Sequence, residues 1–145
     1  MSKIYLASSW KMAETIIELK NALENEGHEV DAFCDESGDR ISFNWSKLGD
    51  IPYADLDAID MMKHSRVIDA FNEDKKWLDW ADTVILVLPS GRSAHLEAGY
   101  AKGSGKNLLI YGGYEKGEFD VMYGFANKMF RYSELDLLID DLKRR

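Results

Sequence analysis

A chain of 145 residues with 46% apolar and 30% charged side chains has the balance of a globular protein and enough length to bury a real core. Its net charge of −8 argues against a nucleic-acid polymer as partner, although local amide groups and one arginine can still hold a small anion. Cys34 stands alone, which excludes an internal disulfide and suits a reducing cytoplasm, and MSKIYLASSW turns polar too soon for a signal-peptide core or a membrane span.

In chain order, KIYLA reads as a short buried strand. Met12 to Glu26 then carries Ile16, Ile17, Leu19, Ala22 and Leu23 at the spacing of an amphipathic helix, stopped by Gly27. HEVDAF predicts the second strand, and the three together form a βαβ unit with a right-handed crossover. Residues 34–65 read as irregular, with turn formers, two exposed-looking aromatics (Phe43 and Trp45) and a short helix around Ala54 to Met62. A loop of this length in a compact domain is usually functional or disordered.

Helical periodicity returns from Arg66 to Trp80, with Val67, Ile68, Phe71, Trp77, Leu78 and Ala81 on one side. TVILVL has no polar alternation, which suits a central parallel strand buried on both faces. A helix from about Ser93 to Lys102 follows, ended by GSGK, and NLLIY is the next strand. Glu118 to Phe125 predicts a short helix, MFRY an edge strand and Glu134 to Leu142 a closing helix. No repeat or linker interrupts the pattern, so residues 1–145 are expected to form one domain, with disorder expected only at Lys143-Arg144-Arg145.

Five strands separated by helices predict an α/β, flavodoxin-like, doubly wound parallel sheet of order 2-1-3-4-5. Ligands of such sheets bind at the carboxyl ends of the strands, beside the switch point. The first and third strands are neighbours in that order. Their exit loops, Ser8-Ser9-Trp10 and the turn containing Ser90, Gly91, Arg92 and Ser93, should therefore lie side by side, each opening a helix. Unpaired N–H groups and the macrodipole favour an anion there. Ser93 could cap the helix, Gly91 could let a ligand approach the backbone and Arg92 could offer a fork of donors. The plainer alternative is a strand-to-helix turn in which these residues only satisfy geometry. Neither GxxxxGK[ST] nor GxGxxG is present.

Glu97 is harder to assign to a structural duty. With Ser93 as cap, the capping-box position is Leu96, and Glu97 lies one beyond it. It shares a helix face with Ser93, Ala94 and Ala101, where the alanines leave space for a pocket wall or a close helix contact. A solvated acid favoured by the helix dipole is the alternative. Asp74, on the preceding helix, could reach the same pocket or simply face water. His95 has no partner nucleophile in sequence, and one Cys with three separated His offers no metal spacing, so no cofactor or metal is expected. Phe43 and Trp45 could cover a flat ring, or belong to the core or to a subunit contact.

On KIYLAS, FNEDKKWLDWADTVILVL and SAHLEAGYAKGSGKNLLIY, the sequence resembles the nucleoside 2-deoxyribosyltransferase-like superfamily over most of its length. That superfamily includes deoxyribosyltransferases and nucleoside 5′-monophosphate N-glycosidases. Its pattern of a turn, a glutamate, a glycine two residues on, and GK before the next strand is met by Glu97, Gly99, Gly105 and Lys106. The resemblance implies a small-molecule nucleotide or nucleoside as partner, no membrane, and a homodimer or larger homo-oligomer. It implies that Glu97 attacks or stabilises the anomeric carbon, with Asp74 assisting at the base. Ser93 would contact a phosphate, reinforced by Arg92, while Ser8 and Ser9 would frame sugar and phosphate. Transferases of the family carry an acid at the end of the third strand. This chain has Leu88-Pro89 there, which shifts weight from base transfer to hydrolysis. The other reading is a non-catalytic nucleotide-binding or signalling module with a TIR-like layout.

Overall fold

The computed structural model describes residues 1–37, 40, 57–113 and 119–145. Strands and helices alternate as β1 (Lys3–Ala7), α1 (Ala13–Asn25), β2 (Glu29–Ala32), α2 (Ala58–Met61), α3 (Ser65–Trp80), β3 (Thr83–Leu88), α4 (Arg92–Gly103), β4 (Asn107–Gly112), β5 (Lys128–Phe130) and α5 (Leu135–Lys143). Among the described residues the strands form one parallel sheet in the order β2-β1-β3-β4-β5, the flavodoxin-like arrangement that the strand and helix signals predict. No helix among them is long and apolar enough to cross a membrane.

The period of two along a strand divides the core into two layers. Ile4 and Leu6 of β1 with Ile85 and Val87 of β3 pack against Ile16, Leu19 and Leu23 of α1 and Leu138 and Leu142 of α5. Tyr5 and Ala7 with Val84, Leu86 and Leu88 face the other way, toward Leu78 of α3 and Ala94, Ala98 and Ala101 of α4. Tyr5 thus enters the α3/α4 layer because it alternates with Ile4 and Leu6. β3 is buried at all six positions, as its unbroken apolar run requires.

Local chemistry trims several predicted elements. β2 stops at Ala32, where the Asp35 N–H returns to the Ala32 carbonyl at 3.0 Å and turns Phe33 and Cys34 out of the sheet. β5 ends at Phe130, because Arg131 opens a 3-10 turn over Tyr132–Glu134. The predicted helix at 118–125 is a 3-10 turn over Val121–Phe125, with the Asp120 side chain accepting from the Met122 N–H. The basic tail is tied down rather than loose: Lys143 Nζ pairs with Glu26 at 3.0 Å and Arg145 Nε with Asp141 at 3.3 Å. The proposed apolar side of α3 is not buried throughout, since Ile68 is 41% and Phe71 55% exposed. The buried contacts of this helix lie in its C-terminal half. Phe43 and Trp45 lie outside the described residues, as does the start of the helix expected from Ala54.

The GK of the sequence pattern has a structural duty. α4 ends in a Schellman arrangement, with Lys106 N bonded to Ala101 O and Gly105 N to Lys102 O, both at 3.0 Å. Gly105 sits at φ +85°, in the left-handed region where a side chain would be strained. Lys106 Nζ then donates to the Ala81 carbonyl and, at 3.2 Å, to that of Asp79, neutralising the C-terminal end of α3. At the other end of β4, a Cβ on Gly112 would stand 2.5 Å from the Leu88 carbonyl oxygen, so glycine is needed where the two strands end.

Candidate active site

A cavity of about 780 Å³ opens at the carboxyl ends of β1 and β3. From α3 it receives Val67, Ala70, Phe71, Asp74 and Leu78, a stripe at helical spacing, which explains why Phe71 is not packed on the sheet. From α4 it receives Arg92, Ser93, Leu96, Glu97 and Tyr100, the stripe beside the one that Ala94, Ala98 and Ala101 bury. The first loop adds Ser8, Ser9, Trp10 and Lys11, and Phe33 stands edge-on to Trp10 with ring centroids 5.4 Å apart. One wall is therefore aromatic and aliphatic, while hydroxyls, cations and acids converge at the strand ends.

Glu97 is half-buried, and its Oε2 accepts a hydrogen bond from the buried hydroxyl of Tyr5. Burial pushes the Glu97 carboxyl up to about 8; the Tyr5 bond opposes that rise, and the nearby Asp74 charge adds to it. Burial, and then the facing carboxylate, push the Tyr5 phenol far above its ordinary range, so it stays a donor. Asp74 enters from α3, its side chain 42% exposed, with Oδ1 held by Arg40 Nη2 at 2.7 Å. Burial also raises the Asp74 carboxyl, against the lowering effect of Arg40. Asp31 of β2 is the register partner of Tyr5 and so shares its face of the sheet. Its carboxyl is pushed up to about 6, mainly by burial.

The turn after β3 differs from its predicted form in one respect. Gly91, not Ser93, is the N-cap of α4, with an extended backbone and no side-chain cap bond. Ser93 is the second residue of the helix, so Glu97 lies well past the first turn and outside any capping role. The reason is His95: its Nδ1 donates to the Gly91 carbonyl at 2.7 Å, and its Nε2 accepts from the Tyr123 hydroxyl at 3.1 Å, which pins the turn. The first N–H groups of α4 are left without a side-chain cap, beside Arg92 and Ser93. Ser8 donates to the Val87 carbonyl at 2.9 Å, which ties the first loop to the end of β3. Ser9 precedes the 3-10 turn Trp10–Met12 and makes no capping bond.

Of the residues expected at a site, Ser8, Ser9, Trp10, Asp74, Gly91, Arg92, Ser93 and Glu97 border one cavity. Ser90 does not. It faces a shallow depression with His95, Asp120 and Tyr123, which Gly91 and Arg92 also border.

Compared by sequence, the chain matches no family model and no curated protein. Compared by structure, it is similar to the CMP N-glycosidase of Clostridium botulinum, at 19% identity and a TM-score of 0.52, over 97% of this chain and 96% of that one. It is also similar to the 2-deoxyribosyltransferase of Bacillus psychrosaccharolyticus, at 17% identity and a TM-score of 0.57, over 89% of this chain and 85% of that one. The fold is shared. Both structures are of the enzyme kinds to which the sequence resemblance points.

Sequence reasoning missed Tyr5, Asp31, Arg40 and Lys11. Tyr5 left a faint signal as the one hydroxyl in an otherwise apolar strand, and Asp31 as an acid within HEVDAF. Arg40 left none, because it lies in a segment without periodicity.

Proposed function

We propose that this protein cleaves the N-glycosidic bond of a ribo- or deoxyribonucleoside 5′-monophosphate, or of the corresponding nucleoside, with Glu97 as the carboxylate nucleophile. The observation that carries the reading is Glu97 itself, half-buried in a cavity at the strand ends, hydrogen-bonded to Tyr5 and facing Asp74. In the proposed reaction the Glu97 carboxylate bonds to C1′ as the C1′–N bond breaks. The bond's electron pair leaves on the base, which takes a proton from water while Asp74 assists at the base. Water then attacks C1′ of the glycosyl ester, its proton passing to the Asp74 carboxylate, and the Glu97 carboxylate is released. Burial raises both carboxyls, and Glu97 more strongly than Asp74. At the pH where Glu97 is anionic, Asp74 is therefore anionic as well, and it serves as a hydrogen-bond acceptor for the nucleobase and as the base for the attacking water. For Glu97 the raised value means that cleavage speeds up as pH rises through about 8.

The apolar wall of Trp10, Phe33 and Phe71 suits a flat base, and the uncapped start of α4 with Arg92, Ser93 and Ser9 suits a phosphate. Leu88, buried at the end of β3, supplies no acid there, which supports water rather than a second base as acceptor. The two structural neighbours, a CMP N-glycosidase and a 2-deoxyribosyltransferase, support the reaction class in general terms. A homodimer or larger assembly belongs to the same reading, supported by Phe119, Val121, Met122 and Phe125, all more than half exposed on the segment after β4.

The test is chromatography of free base after incubation with ribo- and deoxyribonucleosides, their 5′-monophosphates and NAD at pH 8.5. Base release by the wild-type protein that Glu97→Gln abolishes is the expected result. Tight binding with no release from any compound would indicate a binding module instead.

A further inference from the structure

Asp74 is paired with a guanidinium that also borders the cavity. Arg40 reaches it from the segment after β2, with 5% of its side chain exposed. Its Nε and Nη1 are sealed from solvent, Nε lying 3.2 Å from Asp31 and Nη1 3.8 Å from Glu73. That leaves Nη2 as the nitrogen that can face the cavity. One of its two hydrogens goes to Asp74 Oδ1 at 2.7 Å, and the other has no acceptor among the described residues. Asp74 Oδ2 likewise has no partner among them, and this side chain is 42% exposed.

The pair has a fixed polarity. A guanidinium only donates and stays charged, while a carboxylate only accepts. Their charge-assisted bond holds donor and acceptor side by side at one wall. Asp74 follows Phe71 by three residues on α3, so the acceptor shares a helix face with an aromatic ring of the cavity. A flat base against that ring brings its polar edge to Asp74 and Arg40.

We propose that the Arg40–Asp74 pair reads the base and selects one that bears an exocyclic amino group beside an unprotonated ring nitrogen. This inference rests on the reading above only in needing a nucleotide in the cavity. Cytosine and adenine have that edge: the amino group donates to the Asp74 carboxylate, and the ring nitrogen accepts from Nη2. In uracil or hypoxanthine both polarities are inverted. A carbonyl oxygen then faces Asp74, and a ring N–H faces Arg40. With C1′ held at Glu97, a keto base cannot slide along the wall to restore the match. In uracil, moreover, the ring N–H lies between two carbonyl oxygens, which an anion placed there would also meet.

The test compares matched pairs, CMP with UMP and AMP with IMP, each also as the 2′-deoxynucleotide. One readout is kcat/KM for base release by the wild-type protein. The other is the dissociation constant from calorimetry on Glu97→Gln, which lacks the nucleophile. The amino member of each pair is expected to be favoured at least about tenfold in both. Asp74→Asn, whose amide can turn a donor toward a carbonyl, lowers the CMP-to-UMP ratio of kcat/KM by at least about tenfold. Its loss of the base for water falls on the later step, whereas kcat/KM reports the steps up to departure of the nucleobase. Arg40→Met weakens CMP at least roughly tenfold and leaves 3-deaza-CMP, which has carbon in place of the ring nitrogen, nearly unchanged. Equal losses on the two compounds would show a merely structural arginine and overturn its role. The wild-type ratios need no variant, so they decide the matter even where Arg40→Met does not fold. Equal handling of amino and keto partners, a preference for the keto member, or an unmoved ratio in Asp74→Asn would overturn the proposal. Amino-selective binding without release would sink the cleavage reading and leave this one standing; release without selectivity would do the reverse. A protein that neither binds nor cleaves any of these nucleotides would overturn both.

Discussion

Replacing Glu97 with glutamine removes a titration while keeping the shape of the side chain, and its effect on stability can be worked out without knowing the substrate. Burial raises this carboxyl from an ordinary 4.5 to about 8. The folded protein therefore holds the proton more tightly than the unfolded chain does. Stability from this group is fully present below pH 4.5 and is lost as pH rises through 8. At about 1.36 kcal/mol per pH unit, the interval between the two values corresponds to roughly 5 kcal/mol. Water reaching the open side of the cavity screens part of this, leaving about 2–4 kcal/mol. The assay is urea unfolding of wild type and Glu97→Gln at pH 5 and pH 9. At pH 5 a neutral amide replaces a neutral acid that Tyr5 can still donate to, and the two proteins agree within about 1 kcal/mol. At pH 9 the variant is the more stable by about 2–4 kcal/mol, because the wild type must bury an anion. Asp74 and Asp31 titrate in both proteins and largely cancel from the difference. A stability difference unchanged between the two pH values would refute the reasoning, since Glu97 would then be an ordinary solvated acid.

Tyr5→Phe removes the donor that favours the Glu97 carboxylate; the acid limb of the pH–rate profile should move up by about 1–2 units, with little change in fold. Arg92→Ala together with Ser93→Ala should raise KM for a 5′-monophosphate by about 10–100-fold while leaving the parent nucleoside nearly unaffected, as steady-state kinetics on the pair would show. Lys106→Met should lower stability by about 1–2 kcal/mol in urea unfolding, since two carbonyls at the end of α3 lose their cation, and kcat/KM should stay unchanged.

The sheet order and the nearness of the two turns were legible because they depend on apolar runs and on the alternation of strand and helix. TVILVL could only be a central strand, and once β1 and β3 are adjacent their exits must meet. Glu97 stood out because no local duty explained it, and that argument survives the shift of the cap from Ser93 to Gly91. The shift was not readable, since it depends on a side-chain bond from His95 to the Gly91 carbonyl and on Tyr123, 28 residues further on. Tyr5 illustrates a different limit. Its position in KIYLA says it is buried, but not that the face it buries on holds Glu97 and Asp31; that follows from register and strand parity. Arg40 is a long-range ion-pair partner in an aperiodic segment, where residue type alone carries no spatial information.

The central claim is that the Glu97 carboxylate bonds to the sugar. A 2-deoxy-2-fluoro-arabinosyl nucleotide should form the ester and then release it slowly, because the fluorine destabilises the oxocarbenium-like transition states. Intact-protein mass spectrometry after rapid acid quenching, followed by peptide mapping, reads the adduct directly. One glycosyl group on the peptide that contains Glu97, absent in Glu97→Gln, is the predicted result. Base release by the wild type with no adduct at any time, or with an adduct on another residue, would contradict it.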